Sequence, residues 1–300
     1  MTSLRDHHPF HIRRSVLCVP ASNGRALAKA PALDCDAVIY DLEDAVLHDD
    51  KNSARKALVD LFAGQPAPAF ERIIRINPLT TDVGQADLEA VLACNPDAVL
   101  LPKVESPQDI QDVADWLFEN DAPERLRIWA MIETPRGVLN AAAIAEAGRT
   151  RGGRLDCFVV GLNDLRKETG LAARPGRAYC IPWLMQVLLA ARSCGLDAID
   201  AVFNDFSDDT GFDAECEQGR DMGFDGKMLI HPGQIGSANL HFGVSAEAVV
   251  QATQVIEAFA RPENTNKGVI SVDGQMIERL HLDQALRLTA KAASISQRKA

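Results

Sequence analysis

The chain lacks the features that mark several large classes of protein. No stretch approaches the ~20 consecutive apolar residues of a membrane-spanning helix. The N-terminal residues Met1 to Arg14 are polar and have no apolar core, so they do not read as a secretory signal. His7, His8 and His11 offer imidazoles there, but in that setting they read as a frayed tail. The seven cysteines, Cys18, Cys35, Cys94, Cys157, Cys180, Cys194 and Cys216, are odd in number and never spaced C-x-x-C. That argues against a disulfide or zinc framework and for reduced, mostly buried thiols in a cytoplasmic protein. Aromatic residues make up only 5% of the chain, so the core must be built from Ala, Val, Leu and Ile. Positive charge is also scarce. With 31 Lys and Arg against 42 Asp and Glu, the net charge of −11 disfavours nucleic acid and anionic membranes as partners.

What is present is a regular alternation. Eight short apolar runs read as strands: Ser15–Val19, Ala37–Asp41, Arg72–Ile76, Ala98–Leu101, Arg127–Ile132, Cys157–Val160, Ala198–Ala201 and Gly226–Leu229. Helical patterns lie between most of them, over Arg25–Ala30, Lys51–Phe62, Gln85–Ala93, Pro107–Glu119, Val138–Ala147, Trp183–Ser193 and Phe212–Met222. Such alternation predicts a parallel sheet, and eight repeats predict a closed (β/α)₈ barrel over 15–240. The alternative, a doubly wound open sheet, calls for a glycine-rich phosphate loop after the first strand. That turn is Pro20-Ala-Ser-Asn-Gly24, without G-x-G-x-x-G, so the barrel is preferred. Residues 1–14 read as a flexible N-terminal tail and 241–300 as a helical extension or lid. Within the extension Ser245–Arg261 reads as a helix N-capped by Ser245, with Glu247 near its start. Pro262–Val272 reads as a loop, and Met276–Ala293 as one or two amphipathic helices.

Polar residues gather where the strands end. Pro20 follows the first strand; Asp41, Glu43 and Asp44 end the second, Arg75 and Asn77 the third; Lys103 and Glu105 follow the fourth. Asp200, Asn204 and Asp205 lie at or after the seventh, and His231 follows the eighth. Barrel enzymes build their sites at these C-terminal strand ends. Glu133 and Asp164 follow strands five and six, where packing needs no acid. Two hard oxygen ligands from successive strand ends suit Mg²⁺, with the other positions left to water and substrate. The bland readings are a surface charge for Glu133 and a helix cap for Asp164.

Several motifs together resemble the citrate lyase beta-subunit-like and malyl-CoA lyase branch of the HpcH/HpaI aldolase superfamily. They are Arg13-Arg-Ser-Val-Leu-Cys-Val-Pro20, Asp41-Leu-Glu-Asp44, Arg75-Ile-Asn77-Pro, Leu101-Pro-Lys-Val-Glu105, Ile132-Glu-Thr-Pro-Arg-Gly137, Gly161-Leu-Asn-Asp164-Leu, Gly223-Phe-Asp-Gly-Lys-Met-Leu-Ile-His231-Pro and Val272-Asp-Gly274-Gln-Met-Ile-Glu278. The resemblance implies a (β/α)₈ barrel and an Mg²⁺-dependent carbon–carbon lyase. Such an enzyme splits a 3-hydroxyacyl-CoA of citramalyl, malyl or citryl type into acetyl-CoA and a 2-oxo acid. It implies metal ligation by Glu133 and Asp164, a carboxylate grip by Arg75, and Glu43 and Asp44 behind them, orienting Arg75 or metal-bound water. An ion pair of Arg75 with Glu43 or Asp44 is compatible with that grip. Asp41 is a further candidate for the same supporting role. Arg25 and Lys29 match positions that hold CoA phosphates, while two cations on a helix otherwise read as a solvated face. Cys18 replaces a tyrosine that some members use for CoA. Asn204 and Asp205 match a segment lining the thioester pocket. Glu278 stands where the family commonly has an aspartic acid that protonates the enolate; the plain reading is an exposed residue on the last helix. Lys227 reads as a possible internal counter-charge and His231 as a turn cap. A homotrimer or hexamer, or an acyl-carrier subunit as partner, is implied as well. Three other activities fit the residues: a thioesterase on the same acyl-CoA, a CoA-independent 2-oxo-acid aldolase, and a non-catalytic acyl-binding subunit.

Overall fold

The computed structural model describes residues 11–64, 68–150, 152–264, 266–272 and 274–299. His7, His8 and Asp273 lie outside the described residues. The chain divides into two compact units, one built on Arg13–His241 and one on Phe242–Ala300.

The first unit is the expected barrel. Eight parallel strands, β1 (Ser15–Pro20), β2 (Ala37–Asp41), β3 (Glu71–Arg75), β4 (Ala98–Leu101), β5 (Arg127–Ile132), β6 (Leu155–Val160), β7 (Asp197–Asp200) and β8 (Gly226–Leu229), pair in chain order, and β8 closes on β1. The helices of this unit are α1 (Gly24–Lys29), α2 (Lys51–Gly64), α3 (Gly84–Cys94), α4 (Pro107–Glu119), α5 (Pro135–Ala145), α6 (Leu162–Thr169), α7 (Ile181–Ser193), α8 (Asp209–Met222) and α9 (Ile235–His241). Strand side chains alternate between faces, and the interior cluster shows it. Val16, Ala37, Ile39, Ile73, Ala98, Leu100, Trp129, Met131, Cys157, Val159, Ile199 and Met228 fill the barrel. Two residues further along the same faces come Asp41, Arg75, Glu133 and Gly161. The period that packs the barrel with apolar side chains therefore carries these four to its C-terminal mouth.

Local signals place the helix starts. Ser106 and Glu105 donate their backbone N–H groups to Asp109 at 2.9 and 2.8 Å, with Pro107 opening α4. Thr134 Oγ1 accepts the Gly137 N–H at 3.0 Å, with Pro135 opening α5. Strands β3 and β7 begin and end one residue earlier than the apolar runs suggest, because parallel pairing rather than hydrophobicity sets their ends. Helices α6 and α9 were not anticipated. The first is polar on most faces, and the second is only seven residues long. None of the seven cysteines is in a disulfide; six are buried and Cys18 is half-buried. Among the described residues no helix is long and apolar enough to cross a membrane.

The second unit holds α10 (Ala246–Ala260), β9 (Val269–Val272), β10 (Gln275–Glu278) and α11 (Arg279–Lys299). Ser245 Oγ accepts the Ala248 N–H at 3.1 Å and caps α10 as expected. The expected loop over Pro262–Val272 is corrected at its end. Val269–Val272 is a strand, paired antiparallel with Gln275–Glu278. Met276–Glu278 is thus hairpin rather than helix. The hairpin packs Ile270, Val272 and Ile277 against Val255, Ala258, Phe259 and Leu282.

Candidate active site

Asp41 organises the mouth of the barrel. It is the last residue of β2 and fully buried. Its Oδ1 accepts the Glu43 N–H at 2.9 Å, and its Oδ2 accepts the Ala45 N–H at 3.2 Å, folding the chain back over the strand end. The same oxygens accept Arg75 Nε at 2.7 Å and Nη2 at 2.6 Å. Burial opposes the charge of Arg75, but the Asp41 hydrogen bonds and the Asp41 and Glu43 charges outweigh it and raise its pKa. Of the five guanidinium N–H groups, two are committed to Asp41. Nη1 lies 3.2 Å from Glu43 Oε2 and 3.7 Å from Met131 Sδ. The outer edge of Nη1 and Nη2 is what remains for an anionic ligand. Arg75 does form the expected ion pair with Glu43. Its main partner is Asp41, Glu43 is second, and Asp44 is exposed and lies 3.8 Å from Lys103 Nζ.

The loop after β2 is anchored from below. Lys51 Nζ donates to the carbonyls of Leu42 and Glu43 at 2.8 and 2.9 Å. Asn77 Nδ2 donates to the Leu42 carbonyl at 2.8 Å and to Asp87 at 2.6 Å. These bonds fix the backbone that carries Glu43.

Glu133 is 2% exposed. Its Oε1 accepts the Lys103 backbone N–H at 2.9 Å. Its Oε2 faces Gly161, where a Cβ would lie 2.5 Å from that oxygen. Only glycine leaves room there, so the residue after β6 is Gly161 for the sake of the carboxylate that follows β5. Burial, reinforced by the charges of Glu43 and Asp164, pushes Glu133 up to about 8. Burial also raises Glu43, against the pull of Arg75 and Lys103. Its Oε2 is buried without a hydrogen-bond partner. Asp164 is not a helix cap: Gly161 is the N-cap of α6, and Asp164 lies in the first turn, where the helix dipole favours an anion. Among the described residues no cluster of three His, Cys, Asp or Glu side chains stands ready to hold a metal. What stands there is a pair of carboxylates, Glu133 and Asp164, the charge of Asp164 adding to the cost of ionising Glu133. Hard oxygens and crowded negative charge fit a divalent cation whose remaining ligands are water and substrate.

The other candidates fall elsewhere. Arg25 and Lys29 are exposed one turn apart on α1. Asn204 and Asp205 are exposed after β7. Asn204 exchanges amide hydrogen bonds with Asn163 at 2.8 and 3.1 Å, tying this loop to the start of α6. Asp205 accepts the Ser207 hydroxyl at 2.5 Å and backbone N–H at 3.1 Å, which hold its pKa down. Lys227 is fully buried between Asp200 at 2.9 Å and Glu215 at 2.8 Å. His231 Nδ1 accepts the Gly233 N–H at 3.1 Å, and the ring stacks on Phe206 at 5.0 Å. Glu278, in the second unit, ends β10 rather than lying on the last helix, and its N–H donates to His281 Nδ1 at 2.9 Å. Asp41, a further candidate for supporting Arg75, is its chief holder; Lys103, a contact of both Glu133 and Glu43, was missed as a site component. The signal for Asp41 was its place at the end of β2. Nothing in the sequence marks the backbone of Lys103.

The HpcH/HpaI aldolase/citrate lyase family model matches residues 14–232. The (3S)-malyl-CoA thioesterase of Cereibacter sphaeroides is 45% identical over 289 residues, 96% of each chain. The human mitochondrial citramalyl-CoA lyase is 32% identical, covering 99% of this chain and 90% of that protein. Among solved structures, CitE from Mycobacterium tuberculosis in complex with magnesium, acetoacetate and coenzyme A has a TM-score of 0.74 at 30% identity, covering 93% of this chain and 97% of that one. The chain belongs to the HpcH/HpaI aldolase/citrate lyase family.

Proposed function

From membership in that family, we propose that the protein is an Mg²⁺-dependent enzyme that hydrolyses a 3-hydroxy-dicarboxylyl-CoA thioester of the malyl type. The observation that carries the substrate and the outcome is the 45% identity, over 96% of both chains, to proteins named (3S)-malyl-CoA thioesterase. The site supports the metal. Glu133 and Asp164 would hold it, and a cation beside Glu133 offsets the burial and repulsion that otherwise favour its protonated form. The CitE relative is itself complexed with magnesium and coenzyme A. Bound there, Mg²⁺ supplies Lewis acidity to substrate oxygens.

The chain's own residues do the rest. Arg75 presents the outer edge of Nη1 and Nη2 to the free carboxylate of the substrate. Asp41 fixes the plane of that guanidinium, and Glu43 fixes its tilt. Arg25 and Lys29, exposed on α1 and without ion-pair partners among the described residues, are placed to meet CoA phosphates. Cys18 is no nucleophile. Burial and the nearby Asp41 push it up to about 12, so it stays a thiol at neutral pH.

A second reading has its own observation. The citramalyl-CoA lyase relative covers 99% of this chain, and cleavage of the carbon–carbon bond would use the same carboxylate grip and metal. In that reading Glu278 would supply the proton to the enolate. One assay separates the two. (3S)-Malyl-CoA is incubated with the protein and Mg²⁺, and free thiol, malate, acetyl-CoA and glyoxylate are followed together. Hydrolysis yields free CoA and malate. Glyoxylate with acetyl-CoA and no free thiol would replace the proposal with the lyase.

A further inference from the structure

Lys103 touches two acids of the site with two different parts of itself. Its backbone N–H binds Glu133 Oε1 at 2.9 Å. Its ammonium, on a side chain 35% exposed, is in contact with Glu43 Oε1. Its φ is +51°, a left-handed conformation that costs a non-glycine residue on the order of 1–2 kcal/mol. The conformation directs the amide at one acid while the side chain turns back to the other. The neighbouring backbone is pinned, since Val104 N–H donates to the Met131 carbonyl at 3.3 Å. Gly137 of α5 packs directly on the Val104 carbonyl, with no room for a Cβ.

We propose that Lys103 is a positioning residue that sets how many carboxylates the metal site has. The main chain occupies Oε1 of Glu133 and leaves Oε2 to the cation. The ammonium holds Glu43 in an ion pair beside Arg75, so Glu43 does not join Glu133 and Asp164 as a third ligand. Coordination positions are thereby kept for substrate oxygens, and the local charge stays low enough to admit an anionic substrate. This inference rests on the reading that Glu133 and Asp164 bind the metal.

The test is Mg²⁺ titration of the full chain at pH 8 by calorimetry, without substrate, beside steady-state kinetics with malyl-CoA. Loss of a cation that merely held the fold together would weaken metal and substrate alike. The proposal expects opposite signs. Lys103→Met should bind Mg²⁺ about tenfold more tightly, as a cation is removed and a carboxylate released, while KM for malyl-CoA rises about tenfold. Lys103→Arg should restore both. Lys103→Met combined with Glu43→Gln should bind Mg²⁺ no more tightly than the unaltered protein. Lys103→Gly, which keeps the amide and suits the positive φ, should repeat the Lys103→Met result and answers any concern about folding. Weaker or unchanged Mg²⁺ binding in both Lys103→Met and Lys103→Gly would overturn the proposal. If Glu133→Gln leaves Mg²⁺ binding intact, the metal reading itself fails, which is a separate result.

Discussion

Two clusters of buried charge sit on the same barrel and differ in how their charges are matched. At the end of β7, Asp200 points away from the barrel interior, because Ile199 points into it. It is closed in by Lys227 of β8 at 2.9 Å and by Arg177 at 2.6 Å, and Lys227 also meets Glu215 of α8. Burial alone would raise Asp200, but Lys227 and Arg177 outweigh it and hold its pKa below the ordinary value. At the mouth of the barrel, Glu133 is also buried, yet the charges of Glu43 and Asp164 add to the effect of burial and outweigh Arg75, and its pKa is pushed up to about 8. The first cluster is complete within the fold. The second is left short of positive charge. The contrast teaches that burial marks neither structure nor function by itself; the balance of charge around the buried group does.

The largest effect should come from breaking the balanced cluster. Lys227→Met leaves Asp200 and Glu215 with a lost partner and should destabilise the protein by about 3–5 kcal/mol in urea denaturation. Breaking the unbalanced one should do the reverse in the metal-free protein. Glu133 has a raised pKa when folded, so its ionisation opposes folding. The cost is absent below the unfolded value near pH 4.5, grows by about 1.4 kcal/mol per pH unit, and is complete above about pH 8. Glu133→Gln should flatten that slope, leaving the variant more stable at pH 8 while abolishing metal-dependent turnover. Asp200 works in the opposite window. Its lowered pKa contributes stability above about pH 3.9 that is lost as the pH falls through its folded value. Denaturation curves at pH 3, 6 and 8 separate the two clusters.

A smaller change sharpens the geometry rather than the charge. Gly161→Ala puts a methyl group against Glu133 and should lower kcat about tenfold by displacing one carboxylate oxygen, with Mg²⁺ affinity falling in parallel. Least affected should be the double change Arg25→Gln with Lys29→Gln. It is expected to raise KM for the CoA substrate a few-fold, with weaker salt dependence and unaltered kcat. An equal KM before and after would remove α1 from the CoA site.

The barrel was legible because it repeats. Four of its strands, Ala37–Asp41, Ala98–Leu101, Arg127–Ile132 and Gly226–Leu229, have the limits their apolar runs predict. Parity along β2, β3 and β5 came from the structure, because strands apolar on both faces do not show which side turns inward; there Ile39, Ile73 and Met131 are followed two residues later by Asp41, Arg75 and Glu133. The hairpin of Val269–Val272 and Gln275–Glu278 was not legible either. Its strands are four residues long, largely exposed, and apolar only where Ile270, Val272 and Ile277 meet α10 and α11. The role of Lys103 was illegible for another reason, because a backbone dihedral of +51° leaves no trace in the identity of a lysine.

By itself the sequence determined the (β/α)₈ architecture and the presence of acids at the strand ends, because these follow from residue type and the repeat of apolar runs. Only the tertiary structure decided which acid meets which cation. Asp41 took Arg75, Lys227 took Asp200, Lys103 came between Glu43 and Glu133, and Asp44 was left exposed. Those pairings join residues on different strands and loops, and a pair's energy depends on distance and burial, which exist only once the barrel has closed.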